Sequence, residues 1–146
     1  NLVPCTPLAV IKILEHEKIN PKGKNVVIVN HSEVVGKPLS CLFLNRNATV
    51  SVCHVFTKNL KNYAKKADIL VSAAGVENLI REGMVKSDCF VCDVGIIPTD
   101  DGVTGDVCFD EVSKVVDRIT PVPGGVGPVT VACSLLNMVK TFRNCL

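Results

Sequence analysis

A parallel β-sheet covered by helices on both faces is the architecture this sequence predicts. Three observations carry it: strand-like and helix-like segments alternate, the strand-like ones are short β-branched runs, and the links between them are short. A run such as Val26-Val27-Ile28-Val29 has no polar residue at alternate positions, so such a strand needs cover on both sides. Strand, helix, strand in repetition gives parallel pairing through right-handed crossovers. The result is a doubly wound, Rossmann-like α/β fold of three layers, αβα, with residues 1–146 read as a single domain.

The elements follow in order. Residues 7–19 carry Val10, Ile11, Leu14 and Ile19 at helical spacing, with Thr6 as a candidate N-cap and Pro7 at the first helical position. Lys22-Gly23-Lys24 turns the chain into a first strand, 25–29. Residues 36–45 place Leu39, Leu42 and Phe43 on one side of a helix. A second strand covers 48–53, a short charged helix 60–66, a third strand 68–73 and a fourth 89–94. Residues 118–120 make a short fifth strand. A long apolar helix over 126–143, with Val131, Leu135, Met138 and Phe142, ends the pattern.

Composition bounds the function classes. The chain is 47 % hydrophobic and 21 % charged, which excludes a disordered chain. Mean hydropathy is +0.34. Its apolar runs are nonetheless far shorter than the roughly 18 residues of a membrane span, so no membrane partner is expected. The excess hydrophobicity points to strands buried on both faces or to a surface meant for another domain. A net charge of +2, with five Phe, one Tyr and no Trp, gives no support to nucleic-acid binding. The chain starts at Asn1 without a signal or transit pattern, and is expected to be a processed or cloned piece of something longer.

The eight cysteines are Cys5, Cys41, Cys53, Cys89, Cys92, Cys108, Cys133 and Cys145. They fall short of the roughly 8–10 % of a disulfide scaffold. Most lie in apolar runs, where a reduced thiol packs as a small hydrophobe, so a reducing, cytosolic setting is expected. Cys89 and Cys92 are three apart in a strand, which sends their sulfurs to opposite faces and argues against metal chelation.

Ligands of such sheets bind beyond the carboxyl ends of the strands. After the first strand stands Asn30-His31-Ser32-Glu33-Val34-Val35-Gly36, which is not a G-x-G-x-x-G loop. Asn30 tolerates the left-handed conformation of a tight turn, and a helix opening at Gly36 offers N–H groups to a phosphate. An ordinary strand-to-helix turn has the same composition. The end of the second strand, where an acid would select a ribose hydroxyl and an Arg a 2′-phosphate, holds His54-Val55-Phe56-Thr57. His31 pairs with a phosphate only when protonated, so the choice between NADP and NAD stays open. The segment Pro121-Val122-Pro123-Gly124-Gly125-Val126-Gly127-Pro128 is stiff and irregular and runs into a helix, which suits close backbone approach to a ligand. Asp93 and Asp106 are the sparse acid–base candidates, and no catalytic constellation is legible.

Taken together, Pro4-Cys5-Thr6-Pro7, Ser32-x-x-Val35-Gly36-Lys37-Pro38, Asn47-Ala48-Thr49-Val50, Cys53-His54 with Thr57, Asp93-Val94-Gly95-Ile96, Gly105-Asp106-Val107 and the 119–128 segment resemble one family. It is the bifunctional methylenetetrahydrofolate dehydrogenase/methenyltetrahydrofolate cyclohydrolases, and the resemblance covers essentially the whole chain. It implies the C-terminal nucleotide-binding domain alone, without the smaller half that carries a Tyr-x-x-x-Lys catalytic pair. No catalytic residue is therefore expected here, and the isolated chain is expected to be inactive. The folate substrate would reach it through that other half, and a cytoplasmic homodimer in one-carbon metabolism, serving purine biosynthesis, is implied.

Position by position, Asn30, His31 and Ser32 stand where the family usually has Gly-Arg-Ser around the adenosine 2′-phosphate. Val55 stands where a Ser or Arg often helps hold it, and Ile96 matches a residue beside the nicotinamide. Pro123, Gly124, Gly125, Val126, Gly127, Pro128, Val129, Thr130 and Val131 match the folate-side wall, with Val129 in place of Met. Ile97 replaces a common Asn and Ala9 a common Gly. Loss of an Arg–phosphate contact removes about 1.5–3 kcal/mol, so weakened NADP binding, with NAD use or a weak dehydrogenase, is expected. A non-catalytic nucleotide-binding module is the alternative. A shikimate-dehydrogenase-like protein is a third, against which the Pro-Gly-Gly-Val-Gly-Pro segment counts.

Overall fold

The computed structural model describes residues 2–144. Asn1, Leu146 and the last cysteine, Cys145, lie outside the described residues, as do the two ends of the predicted 1–146 domain. The elements are α1 (Cys5–His16), β1 (Asn25–Val29), α2 (Gly36–Leu44), β2 (Thr49–Cys53), α3 (Leu60–Ala64), β3 (Ile69–Ser72), β4 (Phe90–Asp93), β5 (Ile97–Thr99), β6 (Gly102–Thr104), α4 (Phe109–Val112), β7 (Arg118–Ile119) and α5 (Val126–Asn144). A 3₁₀ turn, Glu82–Met84, precedes β4.

Five strands form one parallel sheet in the order β2-β1-β3-β4-β7. Alternation along each strand feeds two separate cores. Val26 and Ile28 of β1 join Leu39, Phe43, Ile69, Val71 and Cys133 under α1, α2 and α5. Val27 and Val29 join Ala64, Leu70, Val91 and Val112 under α3 and α4. The predicted three-layer αβα fold is what the chain adopts. Cys89 belongs to the second core and Cys92 to the first, so their sulfurs do lie on opposite sides of the sheet. Burial pushes both thiols up to about 12, where no reactive thiolate forms.

The strand and helix bounds differ from the expected ones by a residue or two, except at the end of α1. Helix α1 starts at Cys5 with Pro4 as its cap residue, so Thr6 lies inside the first turn and is no cap. Pro7 sits where a missing N–H is harmless. The same helix stops at His16 although apolar spacing runs on to Ile19. Lys18 turns left-handed at φ 56°, and Ile19 N–H reaches back to the Leu14 carbonyl at 2.9 Å, a Schellman closure whose apolar contact mimics one more turn. The antiparallel hairpin of β5 and β6 and the single turn of α4 were not foreseen, being only three and four residues long.

Candidate functional site

The strand order places the site. From β1 the chain moves outward to β2, then returns past β1 to β3, so the connections leave in opposite directions from the carboxyl ends of β1 and β3. That divergence opens a crevice between the two loops, the place where open α/β sheets hold ligands. A cavity of about 630 Å³ lies at this edge, between the ends of β3 and β4, the start of α5 and the tip of α1. Its polar side chains are Thr6, Asp93 and Thr130; the rest of the lining is apolar or glycine.

Two buried acids build the floor. Asp106 is fully buried and accepts from Ser72 Oγ (2.7 Å) and from the backbone N–H groups of Ala74 (2.6 Å), Gly75 (2.9 Å) and Val76 (3.1 Å). Asp93 accepts from the N–H groups of Gly95 (2.9 Å), Asp106 (3.1 Å) and Val107 (2.9 Å). Burial pushes the Asp93 carboxyl up from its ordinary range, against the pull of those donors. A Cβ on Gly95 would overlap the Asp106 carboxylate, and one on Gly105 would overlap that of Asp93. The two glycines are therefore the room in which the acids sit. Asp93 and Asp106, weighed above as acid–base candidates, serve instead to hold the loops after β3 and β4 in place. Among the described residues no cluster of three His, Cys, Asp or Glu is placed to hold a metal ion. Taken with its lining, the cavity offers shape, apolar contact and orientation.

The proline–glycine segment forms the opposite wall. Its glycines divide by function rather than sharing one. Gly124 has φ +96°, a backbone that other residues rarely adopt. Gly125 has a negative φ, but a Cβ there would overlap the Pro121 carbonyl oxygen. Gly127 has neither constraint, since a Cβ on it meets nothing within 4 Å, yet it lines the cavity. The structure brings together Ile96, Pro123, Gly124, Gly125, Val126, Gly127, Pro128, Thr130 and Val131 around this space. Val129 points away from it and packs against the first core. Thr6, Val35, Ala73, Gly75 and Val103 also line it and are not among the sequence-predicted site residues. The sequence marks Thr6 as a candidate helix cap instead, and Gly75 only by its place after the third strand.

Asn30, His31, Ser32 and Val55 do not line the cavity; they form a separate corner over the ends of β1 and β2. Asn30 is not left-handed as expected. Its side chain acts instead: Oδ1 accepts the N–H groups of Ser32 (2.7 Å) and Gly36 (3.1 Å), and Nδ2 donates to the Ala73 carbonyl at 2.6 Å. This amide ties the two walls of the crevice together. It also changes the expectation for the start of α2. Gly36 N–H goes to Asn30, Lys37 N–H to the Ser32 carbonyl, Leu39 N–H to the Val35 carbonyl, and Pro38 has none. The opening turn of α2 is closed by the chain itself, leaving side chains rather than helix amides to meet an anion. Val55 and Phe56 are 86 % and 84 % exposed, so this corner carries bare apolar surface.

Known proteins share this arrangement. The family model described as tetrahydrofolate dehydrogenase/cyclohydrolase, NAD(P)-binding domain, matches residues 4–146. The chain is 60 % identical over 145 residues to the bifunctional protein FolD of Methanosarcina mazei, covering 99 % of this chain and 50 % of that protein. The Methanosarcina barkeri counterpart is 63 % identical over 131 residues, covering 90 % and 46 %. The chain thus spans about half the length of the curated relatives it matches. Among solved structures, the FolD methylenetetrahydrofolate dehydrogenase/cyclohydrolase of Campylobacter jejuni superposes with a TM-score of 0.95 at 50 % identity, over 99 % of this chain and 51 % of that one. The Trypanosoma brucei enzyme, complexed with NADP cofactor and inhibitor, gives 0.94 at 39 % identity over 98 % and 51 %. The NAD-dependent 5,10-methylenetetrahydrofolate dehydrogenase of Saccharomyces cerevisiae gives 0.81 at 26 % over 98 % and 53 %. One relative is thus named with each nicotinamide cofactor.

Proposed function

We propose that this chain, which belongs to the tetrahydrofolate dehydrogenase/cyclohydrolase family through its NAD(P)-binding domain, is the cofactor-holding half of a methylenetetrahydrofolate dehydrogenase/methenyltetrahydrofolate cyclohydrolase. The observation that carries the reading is the apolar cavity beyond the carboxyl ends of β3 and β4, beside the crevice where the β1 and β3 connections diverge, walled by the rigid 121–131 segment. The nucleotide lies along this edge, with its adenosine end at Asn30, His31, Ser32 and Val55 and its nicotinamide end beside Ile96. The folate lies against residues 123–131. When bound, the nicotinamide supplies the acceptor for the hydride that leaves methylene-tetrahydrofolate.

The chain's own residues hold and orient. Asp106 and Asp93 fix the loops after β3 and β4, so the cavity wall exists before any ligand arrives, which favours productive geometry. The apolar lining excludes water from the transfer. Gly127, bare for no reason internal to the fold, leaves space where a ligand approaches the backbone. The cyclohydrolase step adds water to the methenyl group and opens it to formyl-tetrahydrofolate, and needs no redox cofactor. Its acid–base groups, a Tyr-x-x-x-Lys pair, belong to the other half of the enzyme.

Val131, Leu135, Met138 and Phe142 of α5 are each about 60 % exposed, which supports a further partner on that helix. We assign that face to the other half, and read the whole as a cytoplasmic homodimer of one-carbon metabolism whose formyl product serves purine biosynthesis. Among the described residues no helix is long and apolar enough to cross a membrane.

A fusion decides between enzyme and passive module. Placing the first half of the Methanosarcina mazei relative ahead of residue 4 is expected to give reduced nicotinamide from methylene-tetrahydrofolate, followed by formyl-tetrahydrofolate. A fusion that is folded and binds cofactor yet turns over neither folate contradicts the reading and favours a non-catalytic nucleotide-binding module.

A further inference from the structure

Thr120 stands where the last strand of the sheet turns into the proline–glycine wall. It is buried, and its N–H donates to the Val91 carbonyl at 3.0 Å, which carries the pairing of β7 with β4 one residue further. At the next step the ladder changes partner. A regular parallel pair would send the Asp93 N–H to the Thr120 main-chain carbonyl. Here that N–H donates to Thr120 Oγ1 at 2.9 Å instead. With a hydroxyl in place of the carbonyl, the backbone is free to leave the sheet, and Pro121, which has no N–H to pair, follows at once.

The wall meets Thr120 from the other side. A Cβ on Gly125 would lie 3.1 Å from Thr120 Cβ, so the bare Gly125 backbone rests against this side chain. Thr120 is thus held between the end of β4 and the chain entering α5. Through Asp93 its contact reaches across the cavity. The Asp93 carboxylate takes the Asp106 N–H at 3.1 Å, and the Asp106 carboxylate takes those of Ala74 at 2.6 Å and Gly75 at 2.9 Å. One line of hydrogen bonds runs from the 121–128 wall through Thr120, Asp93 and Asp106 to the loop after β3. Both of its ends line the cavity, at Pro121 and at Gly75.

We propose that Thr120 is a positioning residue for hydride transfer, its hydroxyl setting the spacing between the folate-side wall and the floor beside Ile96. This rests on the cofactor reading of the site and deepens it. Transfer of a hydride from the folate methylene carbon to the nicotinamide ring needs the reacting atoms within about 3–3.5 Å, and a displacement of about 1 Å costs as much as a hundredfold in rate. Opening of the methenyl group by water needs no such alignment with the ring, and its acid–base groups lie in the other half. Loss of the Thr120 bond is therefore felt by one activity far more than by the other.

Thr120→Val keeps the branched shape and removes the acceptor. In the chain itself, amide exchange at Asp93 is expected to quicken by about tenfold or more in this variant, and to stay slow in Thr120→Ser, which keeps the hydroxyl. In the fusion described above, Thr120→Val is expected to lower dehydrogenase kcat by about tenfold, while cofactor KM and the cyclohydrolase rate change by less than about twofold. Thr120→Ser is expected to restore the ratio of the two activities. Thr120→Cys, whose sulfur is a weak acceptor, covers a valine variant that does not fold, and the same fall in ratio is expected of it. An unchanged ratio in the folded variants, or one that Thr120→Ser does not restore, overturns the proposal and leaves the function reading standing. An unsubstituted fusion that turns over neither folate overturns the two together.

Discussion

Replacing Asp106 by alanine is expected to destabilise the chain by roughly 3–5 kcal/mol, since several buried donors lose their acceptor at once. The carboxylate is fully buried and takes four hydrogen bonds from the 72–76 segment, three of them from consecutive backbone N–H groups. Alanine leaves those donors without an acceptor, at about 1–3 kcal/mol for each group that water does not reach. Asp106→Asn is expected to cost less, since one oxygen remains, but its amide nitrogen faces donors. Asp110→Ala, at an exposed site on α4, serves as the control and is expected to stay within about 0.5 kcal/mol. Urea unfolding reads the stability. Amide exchange at Ala74, Gly75 and Val76 reads the mechanism, because these hydrogens are expected to lose protection selectively. Unchanged protection there would show that Asp106 does not hold the loop.

Gly36→Ala is the second large effect, and it separates two kinds of glycine. A Cβ at Gly36 would overlap the Asn30 carbonyl oxygen and lie 2.8 Å from Asn30 Oδ1. The clash falls on the residue that ties the β1 loop to Ala73, so the crevice walls have to part. A stability loss of about 2–3 kcal/mol is expected, with at least about tenfold weaker cofactor binding. Gly127→Ala is expected to behave in the opposite way. Its Cβ meets open space and alanine favours the helix, so stability holds or rises by a few tenths of a kcal/mol. Ligand binding alone suffers there. Equal losses of stability in both variants would contradict the assignment of Gly127 to ligand approach.

The sequence disclosed what local periodicity controls. β1, β3 and β4 stand out because strands covered on both faces must be apolar throughout, and α5 because nineteen residues leave ample room for a period to show. Helix α1 was overrun because a Schellman contact places Ile19 where another helical turn would have put it. The β5–β6 hairpin was hidden by its length and by Pro98, which is tolerated there because the ribbon has edges on both sides.

At the site, the 121–131 wall was legible because proline and glycine announce an unusual backbone directly. The Asp93–Asp106 floor was not, since it joins residues 13 apart in the chain to a loop some 30 residues earlier. Periodicity carries no trace of such contacts. Asn30 drew notice for its tolerance of a left-handed turn, yet what matters is its amide, with a donor and an acceptor that bridge two loops at once.

The proposed function requires a nicotinamide cofactor to lie along the carboxyl edge of the sheet, from the Asn30 corner to the cavity beside Ile96 and Gly127. Amide chemical-shift mapping of the isotopically labelled chain during titration with NAD tests it most directly. Shifts concentrated at residues 30–36, 73–76, 94–96 and 122–128 are expected. Shifts confined to the opposite edge, at the groove that holds Lys18, Lys24, Asp117 and Arg118, or no shifts at saturating cofactor, would contradict it.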